Sequence, residues 1–302
     1  MLDILIHLVL MVLMPPLLFG VINRTKASFA GRTGPPLLQP YFDLFRLFRK
    51  GSIFSRTTTW VFRAGPIVTL AATLTAALLI PCGNHSPLLS FNGDMILFVY
   101  LLALGRFFTT VAALDTGSSF EGMGAAREVT YSCLAEPVIF IALLVLSRLS
   151  GSLSLVGILT HSSTALWMTS GAALVMLVVG LFFVILSENC RIPFDDPNTH
   201  LELTMIHEVM VLDHSGPAFG MILYASALKL YILGAFFLHL LLPLRVAGSL
   251  QDWLVFVMSM ILLAVAIGVV ESSMARYRLV RVPQMLLSAS VLAAFALMLV
   301  VR

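Results

Sequence analysis

The stretch from Glu188 to Pro217 reads ENCRIPFDDPNTHLELTMIHEVMVLDHSGP and separates two apolar runs, Leu166–Leu186 and Ala218–Leu244. It holds six carboxylates and three histidines, whereas each flanking run is long enough to cross the hydrocarbon core of a bilayer. Polar groups at membrane depth are tolerated only where protein or a water-filled cavity surrounds them. The stretch therefore predicts a membrane protein with a protein-enclosed polar cavity and a role in moving or relaying charge.

The composition of the whole chain is that of an integral membrane protein. Hydrophobic residues make up 59% of the 302 residues, charged residues make up 11%, and the mean hydropathy is +1.01, which excludes a soluble domain of this size. A spanning helix needs about 20 apolar residues. Eight candidate runs predict an all-α, polytopic protein with a single membrane domain over residues 1–302: Ile4–Ile22, Ile67–Cys82, Met95–Leu114, Val129–Leu149, Leu166–Leu186, Ala218–Leu244, Trp253–Val270 and Val282–Val301.

Basic residues are distributed unequally between the two sides of these runs. Thirteen lysines and arginines lie in the connections that follow odd-numbered runs, against three on the other side, Arg148, Arg245 and Arg302. Because positive charge favours the cytoplasmic side, we expect those connections to be cytoplasmic. Both termini should then be periplasmic, in the cytoplasmic (inner) membrane of a prokaryote. Most of the 15 carboxylates share the basic side, which the positive-inside rule does not explain.

The cysteines and the known nucleotide and metal motifs give a negative result. Cys82, Cys133 and Cys190 form no C-x-x-C pair and fall on different predicted segments, so neither an iron–sulfur cluster nor a disulfide framework is indicated. A Walker loop, a dinucleotide glycine fingerprint and an H-E-x-x-H motif are also absent from the sequence. We therefore expect no cofactor, metal or catalytic residue in this chain, and no nucleic-acid partner; redox chemistry would belong to a partner.

The first cytoplasmic connection contains an amphipathic segment, GPPLLQPYFDLFRLFRK from Gly34 to Lys50. Its aromatic and leucine side chains alternate at helical spacing with Asp43, Arg46 and Arg49. This pattern predicts a helix lying along the membrane surface. It could be a simple interfacial anchor, a docking surface for a soluble partner, or both.

Several ionisable residues fall within or beside predicted spans. Arg106 lies halfway along the third run, where an unpaired charge is costly, so it should face the bundle and meet a carboxylate. After a turn predicted over Asp115–Gly124, the fourth helix should begin near Arg127, with Glu128 in its first turn and Glu136 about 12 Å deeper. Glu128 could stabilise the helix dipole and Glu136 could pair with Arg106 or Lys229. Two acids on one helix, with Pro137 beside the second, favour a proton relay instead.

The acidic connection has its own regularity. Asp196 can cap a helix that has Pro197 at its first position, and His200, His207 and His214 then recur every seven residues. One metal ion could not reach all three, because this spacing separates successive side chains by about 10 Å. Three readings stay open for these histidines: a proton relay or carboxylate pairing, a solvated helix face, and, least favoured, a metal site.

The motif E-x-x-R-x-P-F-D at Glu188–Asp195 resembles the signature of the complex I membrane subunit called NADH dehydrogenase subunit 1, and the resemblance covers nearly the whole chain. LDTGSSFEGMGAARE, from Leu114 to Glu128, and ESSMARYRL, from Glu271 to Leu279, are closer to the membrane subunits of group 4 nickel–iron hydrogenases of the formate hydrogenlyase and hydrogenase-4 type. The sequence departs from that pattern at Val280 and in lacking an A-E-x-E-L string. Glu202 and Asp213 match acidic positions of the family, whereas Glu208 and the histidines have no match.

This resemblance implies a non-catalytic membrane subunit that docks a peripheral electron-transfer arm and relays protons or Na⁺ into the membrane arm. The implied partners are hydrogenase-like large and small subunits, an iron–sulfur subunit and antiporter-like membrane subunits, with the nickel–iron centre and iron–sulfur clusters in those partners. The alternatives are a quinone-site subunit of a complex I-like dehydrogenase and a stand-alone ion carrier. The sequence shows no inverted repeat, which counts against the ion carrier. The relay is expected to use Glu128, Glu136, Glu188, Asp195, Glu202 and Asp213, and the charge partners or docking residues are Arg106, Arg127, Arg191, Lys229, Glu271, Arg276 and Arg278.

Overall fold

A computed structural model describes residues 2–160, 164–195, 205–242 and 249–301. Regular structure within these ranges is helical, and a 3-10 helix, Glu208–Val211, precedes α8. The α-helices are α1 (Leu2–Phe29), α2 (Gln39–Phe48), α3 (Trp60–Leu79), α4 (Asp94–Asp115), α5 (Ser119–Ser150), α6 (Leu155–Thr160), α7 (Thr164–Glu188), α8 (Gly216–Leu241), α9 (Ser249–Ser273) and α10 (Arg281–Val301).

Eight of the described helices, all except α2 and α6, are long and apolar enough to cross a membrane. The predicted all-α, eight-span architecture is therefore confirmed. Helix α8 is the central one, because 72% of its apolar window is buried, whereas the other spans have 22–44% of theirs buried. Helix α3 packs mainly on α4, α10 on α7 and α5, and α1 on α9, while α8 contacts α1, α3, α7 and α9.

The amphipathic helix after the first span is also present, as α2. Pro40 occupies its first turn, where the missing N–H costs nothing. Phe42, Phe45 and Phe48 are spaced three residues apart on one face and are largely exposed. The opposite side packs on α1 and α8. Exposed phenylalanines on a helix held against the bundle are typical of an interfacial helix.

Helix α5 begins earlier than the sequence predicted. The turn expected to extend from Asp115 to Gly124 ends at Ser118, so the prediction of a start near Arg127 is wrong. Gly124 suggested the end of a turn, but it lies inside the helix. A glycine is needed there for close packing, because a Cβ atom would lie 2.3 Å from the Cγ1 atom of Val209. Glu128 is therefore in the helix interior, and the reading of it as a dipole partner in the first turn is wrong as well.

The acidic connection is not one helix running to His214. Residues 196–204, with Asp196, His200 and Glu202, lie outside the described residues. Beyond them, Met205 and Ile206 are non-helical, the 3-10 helix spans only four residues, and Ser215 is extended. The seven-residue spacing therefore does not place His207 and His214 on one helical face. Tertiary packing decides this course, because Val209, Met210 and Val211 are buried.

Candidate functional site

Arg106 lies near the middle of α4 and is surrounded by carboxylates from two neighbouring helices. Its Nη2 atom is 2.6 Å from Oε2 of Glu188, at the end of α7, and its Nε atom is 3.7 Å from Oε1 of Glu128 in α5. Its Nη1 atom contacts Glu136, about two turns further along α5. The prediction that Arg106 faces the bundle and meets a carboxylate is confirmed. Among the alternatives for Glu136, the contacts show pairing with Arg106.

Lys229 adds a second cation from the central helix α8. Its Nζ atom is 2.7 Å from the same Oε2 atom of Glu188 that accepts from Arg106. The side chains of Arg106 and Glu188 are only 9% and 4% exposed, so both charges are held by protein partners and little by solvent. We call these five residues the central charge cluster: Arg106, Glu128, Glu136, Glu188 and Lys229.

The central charge cluster contains more acid than base. When every group is ionised, three carboxylates face two cations and leave one net negative charge. A buried charge without a partner is costly, so this excess favours uptake of a proton or a cation. The arrangement therefore offers more carboxylates than cations for binding a proton or another cation.

A second ion pair fixes the acidic connection to the turn between α9 and α10. Oδ1 of Asp195 is 2.7 Å from Nη2 of Arg276. Oδ2 of the same carboxylate accepts hydrogen bonds from the backbone N–H groups of Ile206 and His207, at 3.0 and 3.4 Å. Asp195 is buried, so it holds both described ends of the connection in place.

A third group of charges joins α1, the acidic connection and α9. Glu271 is buried and pairs with Nζ of Lys26 at 2.8 Å and with Nη1 of Arg191 at 3.4 Å. The Arg191 guanidinium also lies over the ring of Phe19, 4.4 Å from its centroid. Arg191 of the E-x-x-R-x-P-F-D motif is therefore buried and paired with Glu271.

A cavity of about 480 Å³ opens beside the central charge cluster. Four of the five cluster residues line it, all but Glu136, together with Cys190 and His207. Phe19, Leu102 and Ile222 supply part of its apolar wall. The cavity therefore lies beside the start of the acidic connection and combines charged groups with a largely apolar wall, and its volume is in the range of small-molecule sites.

Some predicted site residues are not brought into this cluster. Asp213 is exposed, although its backbone N–H donates to Oε1 of Glu121 at 3.0 Å. Arg278 is exposed as well. Arg127 donates to the backbone carbonyl of Met205 at 2.9 Å and so braces the acidic connection. Glu202 lies outside the described residues.

Sequence reasoning missed three residues that the fold places at or near these sites. Glu121 is buried in α5 but was assigned to a turn. Lys26 entered the sequence analysis only as one of the thirteen basic residues that set the orientation, yet it pairs with Glu271. Cys190 was given no role because it forms no C-x-x-C pair, although it lines the cavity. Each would have required knowledge of helix ends or of which helices touch.

The two described histidines of the acidic connection lie in different surroundings. His214 is buried and stacks on Phe62 with ring centroids 3.9 Å apart, and burial lowers its pKa to about 4. Burial also lowers the pKa of His207, although the nearby carboxylate of Glu128 opposes that shift. Both imidazoles are therefore held mainly neutral at pH 7.

The comparisons with known proteins agree with the motif. The family model described as NADH dehydrogenase matches residues 2–302. Hydrogenase-4 component C of Escherichia coli (strain K12) is 30% identical over 276 residues, covering 89% of this chain and 86% of that protein. Formate hydrogenlyase subunit 4 of the same strain is 30% identical over 270 residues, covering 87% of each.

The fold is shared with a chain of the membrane-bound sulfane sulfur reductase, described as an archaeal respiratory membrane complex. The TM-score is 0.83 at 21% identity, and 98% of each chain is covered. The eight-span architecture, the E-x-x-R-x-P-F-D motif and the family match over nearly every residue lead to one conclusion. This chain belongs to the NADH dehydrogenase family, that of complex I subunit 1.

Proposed function

We propose that this chain is the membrane-anchor and ion-translocation subunit of a group 4 hydrogenase or formate hydrogenlyase-like complex in the inner membrane. The observation that carries the proposal is the central charge cluster, in which Arg106 contacts three carboxylates and two of them, Glu128 and Glu188, line a cavity. The names of the two relatives, a hydrogenase-4 component and a formate hydrogenlyase subunit, support the same assignment. Its partners would be hydrogenase-like large and small subunits, an iron–sulfur subunit and antiporter-like subunits, which would carry the nickel–iron and iron–sulfur centres.

The relay we propose begins at the cavity and ends at the bundle surface. Glu128 and Glu188 line the cavity, and Arg106 links both to Glu136. The Glu136 side chain is 33% exposed and shares a face of α5 with the exposed residues Cys133 and Phe140. A partly exposed carboxylate within a span is costly against lipid, so its place favours cover by a neighbouring membrane subunit.

The test is Glu136→Gln in the assembled complex. We expect assembly and electron transfer to persist while ion translocation into inverted membrane vesicles falls, because the amide cannot exchange a proton. Cys133→Ala is the matched control, since this residue is exposed about one turn away on the same helix. Unchanged translocation in an assembled Glu136→Gln complex would remove this residue from the path.

Docking of the peripheral arm would use the basic side, which carries α2 and the connections after α1, α7 and α9. Arg278 is exposed there, whereas Arg191 is buried, so Arg278→Glu is the cleaner probe. We expect it to reduce the co-purification of peripheral subunits without loss of membrane insertion. Modification of Ser52→Cys by an impermeant thiol reagent in intact cells would contradict the cytoplasmic placement of this side.

The apolar part of the cavity favours a second candidate, a quinone-site subunit of a complex I-like dehydrogenase. A volume of about 480 Å³ with a charged end and an apolar wall suits a ring with a hydrocarbon tail. Photocrosslinking of a quinone analogue to Leu102 or Ile222 would favour this candidate. Crosslinking confined to the outer surface would count against it.

A further inference from the structure

We propose that Glu128, Cys190 and His207 form a binding site for a zinc-type divalent ion. One ligand atom from each lies within 4.8 Å of those of the other two. The three residues come from separate parts of the chain: the interior of α5, the turn after α7, and the position before the 3-10 helix. All three line the 480 Å³ cavity.

The donor set determines the class of metal. A thiolate, an imidazole and a carboxylate are the ligands that zinc accepts, whereas Mg²⁺ and Ca²⁺ prefer oxygen alone. Metal–ligand bonds of about 2.0–2.3 Å at tetrahedral angles place ligand atoms about 3.3–3.8 Å apart. Side-chain rotation that closes the largest gap by about 1 Å therefore suffices. With three protein ligands from the cavity lining, a fourth coordination position would remain for water.

An unsatisfied nitrogen supports the proposal independently of the ligand spacing. Nδ1 of His207 is buried and has no hydrogen-bond partner among the described residues. Buried polar atoms in folded proteins are nearly always satisfied, and an exception calls for an explanation such as an ion. A metal bound at this nitrogen would supply the missing partner.

The charge of the surroundings also favours a cation. Glu128 belongs to the central charge cluster, which has one net negative charge when all its groups are ionised. Metal binding breaks the S–H bond of Cys190, forms a sulfur–metal bond and sends the proton to solvent. A divalent ion together with the new thiolate adds one positive charge. The cluster and its ion then sum to zero.

Binding would join the two described ends of the acidic connection to one helix. Cys190 precedes the undescribed residues 196–204, and His207 follows them. A shared ion would link these two described positions to α5 through Glu128. Asp195 already accepts hydrogen bonds from the backbone N–H groups of Ile206 and His207, so the ion would add a second link between the same two described parts of the chain.

The test uses the full-length chain, purified in detergent and stripped with a chelator. Zn²⁺ titration against a chromophoric chelator should give about one tightly bound ion per chain, and Co²⁺ should produce a thiolate-to-metal charge-transfer band. Cys190→Ala and His207→Gln should each weaken Zn²⁺ binding by more than about 100-fold, since even outer-shell changes cost 10–100-fold. Cys133→Ala, which alters an exposed cysteine elsewhere on α5, should leave binding unchanged.

Two results would overturn the proposal. The first is the absence of stoichiometric Zn²⁺ binding in the unmodified chain, a measurement that does not depend on the folding of any variant. The second is a charge-transfer band that persists in Cys190→Ala and disappears in Cys133→Ala. Neither partner subunits nor ion coupling enters this experiment, so the metal site and the proposed relay can fail independently.

Discussion

Replacing Arg106 with methionine tests whether the central charge cluster holds the bundle together. The substitution keeps an unbranched side chain of moderate length in α4 but removes all three contacts to Glu128, Glu136 and Glu188. Lys229 then remains as the one cation of the cluster, and it contacts only Glu188 within it. Two carboxylates then lose their counter-charge, Glu128 at 13% exposure and Glu136 at 33% exposure.

The magnitude follows from two bounds. Breaking a buried ion pair by removing one partner costs about 3–5 kcal/mol. Without Arg106 the ionised cluster has a net charge of −2, and one proton restores the parent's −1; protonating a glutamate with a reference pKa of about 4.3 at pH 7 costs about 3.7 kcal/mol. The two figures agree, so we expect a loss of about 3–5 kcal/mol at pH 7. The variant should recover about 1.4 kcal/mol for each pH unit below 7, because protonation becomes cheaper by that amount.

The assay is thermal unfolding in detergent, followed by tryptophan fluorescence at pH 5, 6, 7 and 8. At about 2 °C per kcal/mol for a large domain, Arg106→Met should melt about 6–10 °C below the parent at pH 7 and approach it at pH 5. Arg148→Met, at an exposed arginine near the end of α5, is the control and should melt like the parent. A loss in Arg106→Met no larger than in the control, or one independent of pH, would refute the reasoning.

Two further stability predictions concern the acidic connection and its junction with α8. Because the folded pKa of His214 is about 4, below the reference of about 6.5, its contribution is complete above pH 6.5 and is lost as the pH falls. The parent should therefore lose about 2 kcal/mol more than His214→Gln between pH 7 and pH 5, and parallel melting curves would contradict this. Gly216 has φ +54°, and a Cβ atom there would lie 2.5 Å from the carbonyl oxygen of Gly51, so Gly216→Ala should cost at least about 1–2 kcal/mol. Gly122→Ala, in an open helical position, should be neutral or stabilising by up to about 1 kcal/mol, and equal melting of the two variants would contradict the strain argument.

The spans could be predicted from the sequence because the bilayer imposes the rule. A backbone in hydrocarbon must satisfy its own hydrogen bonds, so each apolar run of sufficient length becomes a helix. The ends of the helices are set differently. Helix α3 begins at Trp60, earlier than the run Ile67–Cys82, because the Thr59 side chain accepts the N–H of Val61 and Asp115 accepts the N–H of Thr59. The second of these contacts joins residues 56 positions apart, which local sequence cannot reveal.

The sequence predicted that Arg106 would pair with a carboxylate, but not which carboxylates it would contact. A buried arginine requires a carboxylate, and Arg106 has them. The choice among carboxylates depends on helix rotation and neighbour order. The sequence suggested Glu136 as a possible partner of Lys229, but Lys229 pairs with Glu188. Lys26 reaches Glu271 because α1 packs on α9. Asp213 was assigned to the relay because it matches an acidic position of the family, but it is exposed and lies outside the central charge cluster.

The net negative charge of the central charge cluster underlies both proposals and makes them compete. An excess of acid over base in a largely buried cluster favours uptake of positive charge, and a proton and a divalent ion are two ways of supplying it. The relay requires Glu128 or its neighbours to release that charge again during turnover. A zinc ion bound through Glu128, Cys190 and His207 would keep the Glu128 carboxylate ionised and engaged. If both proposals hold, an ion at this site lowers the rate of relay through Glu128 while Glu188 still links Arg106 to Lys229.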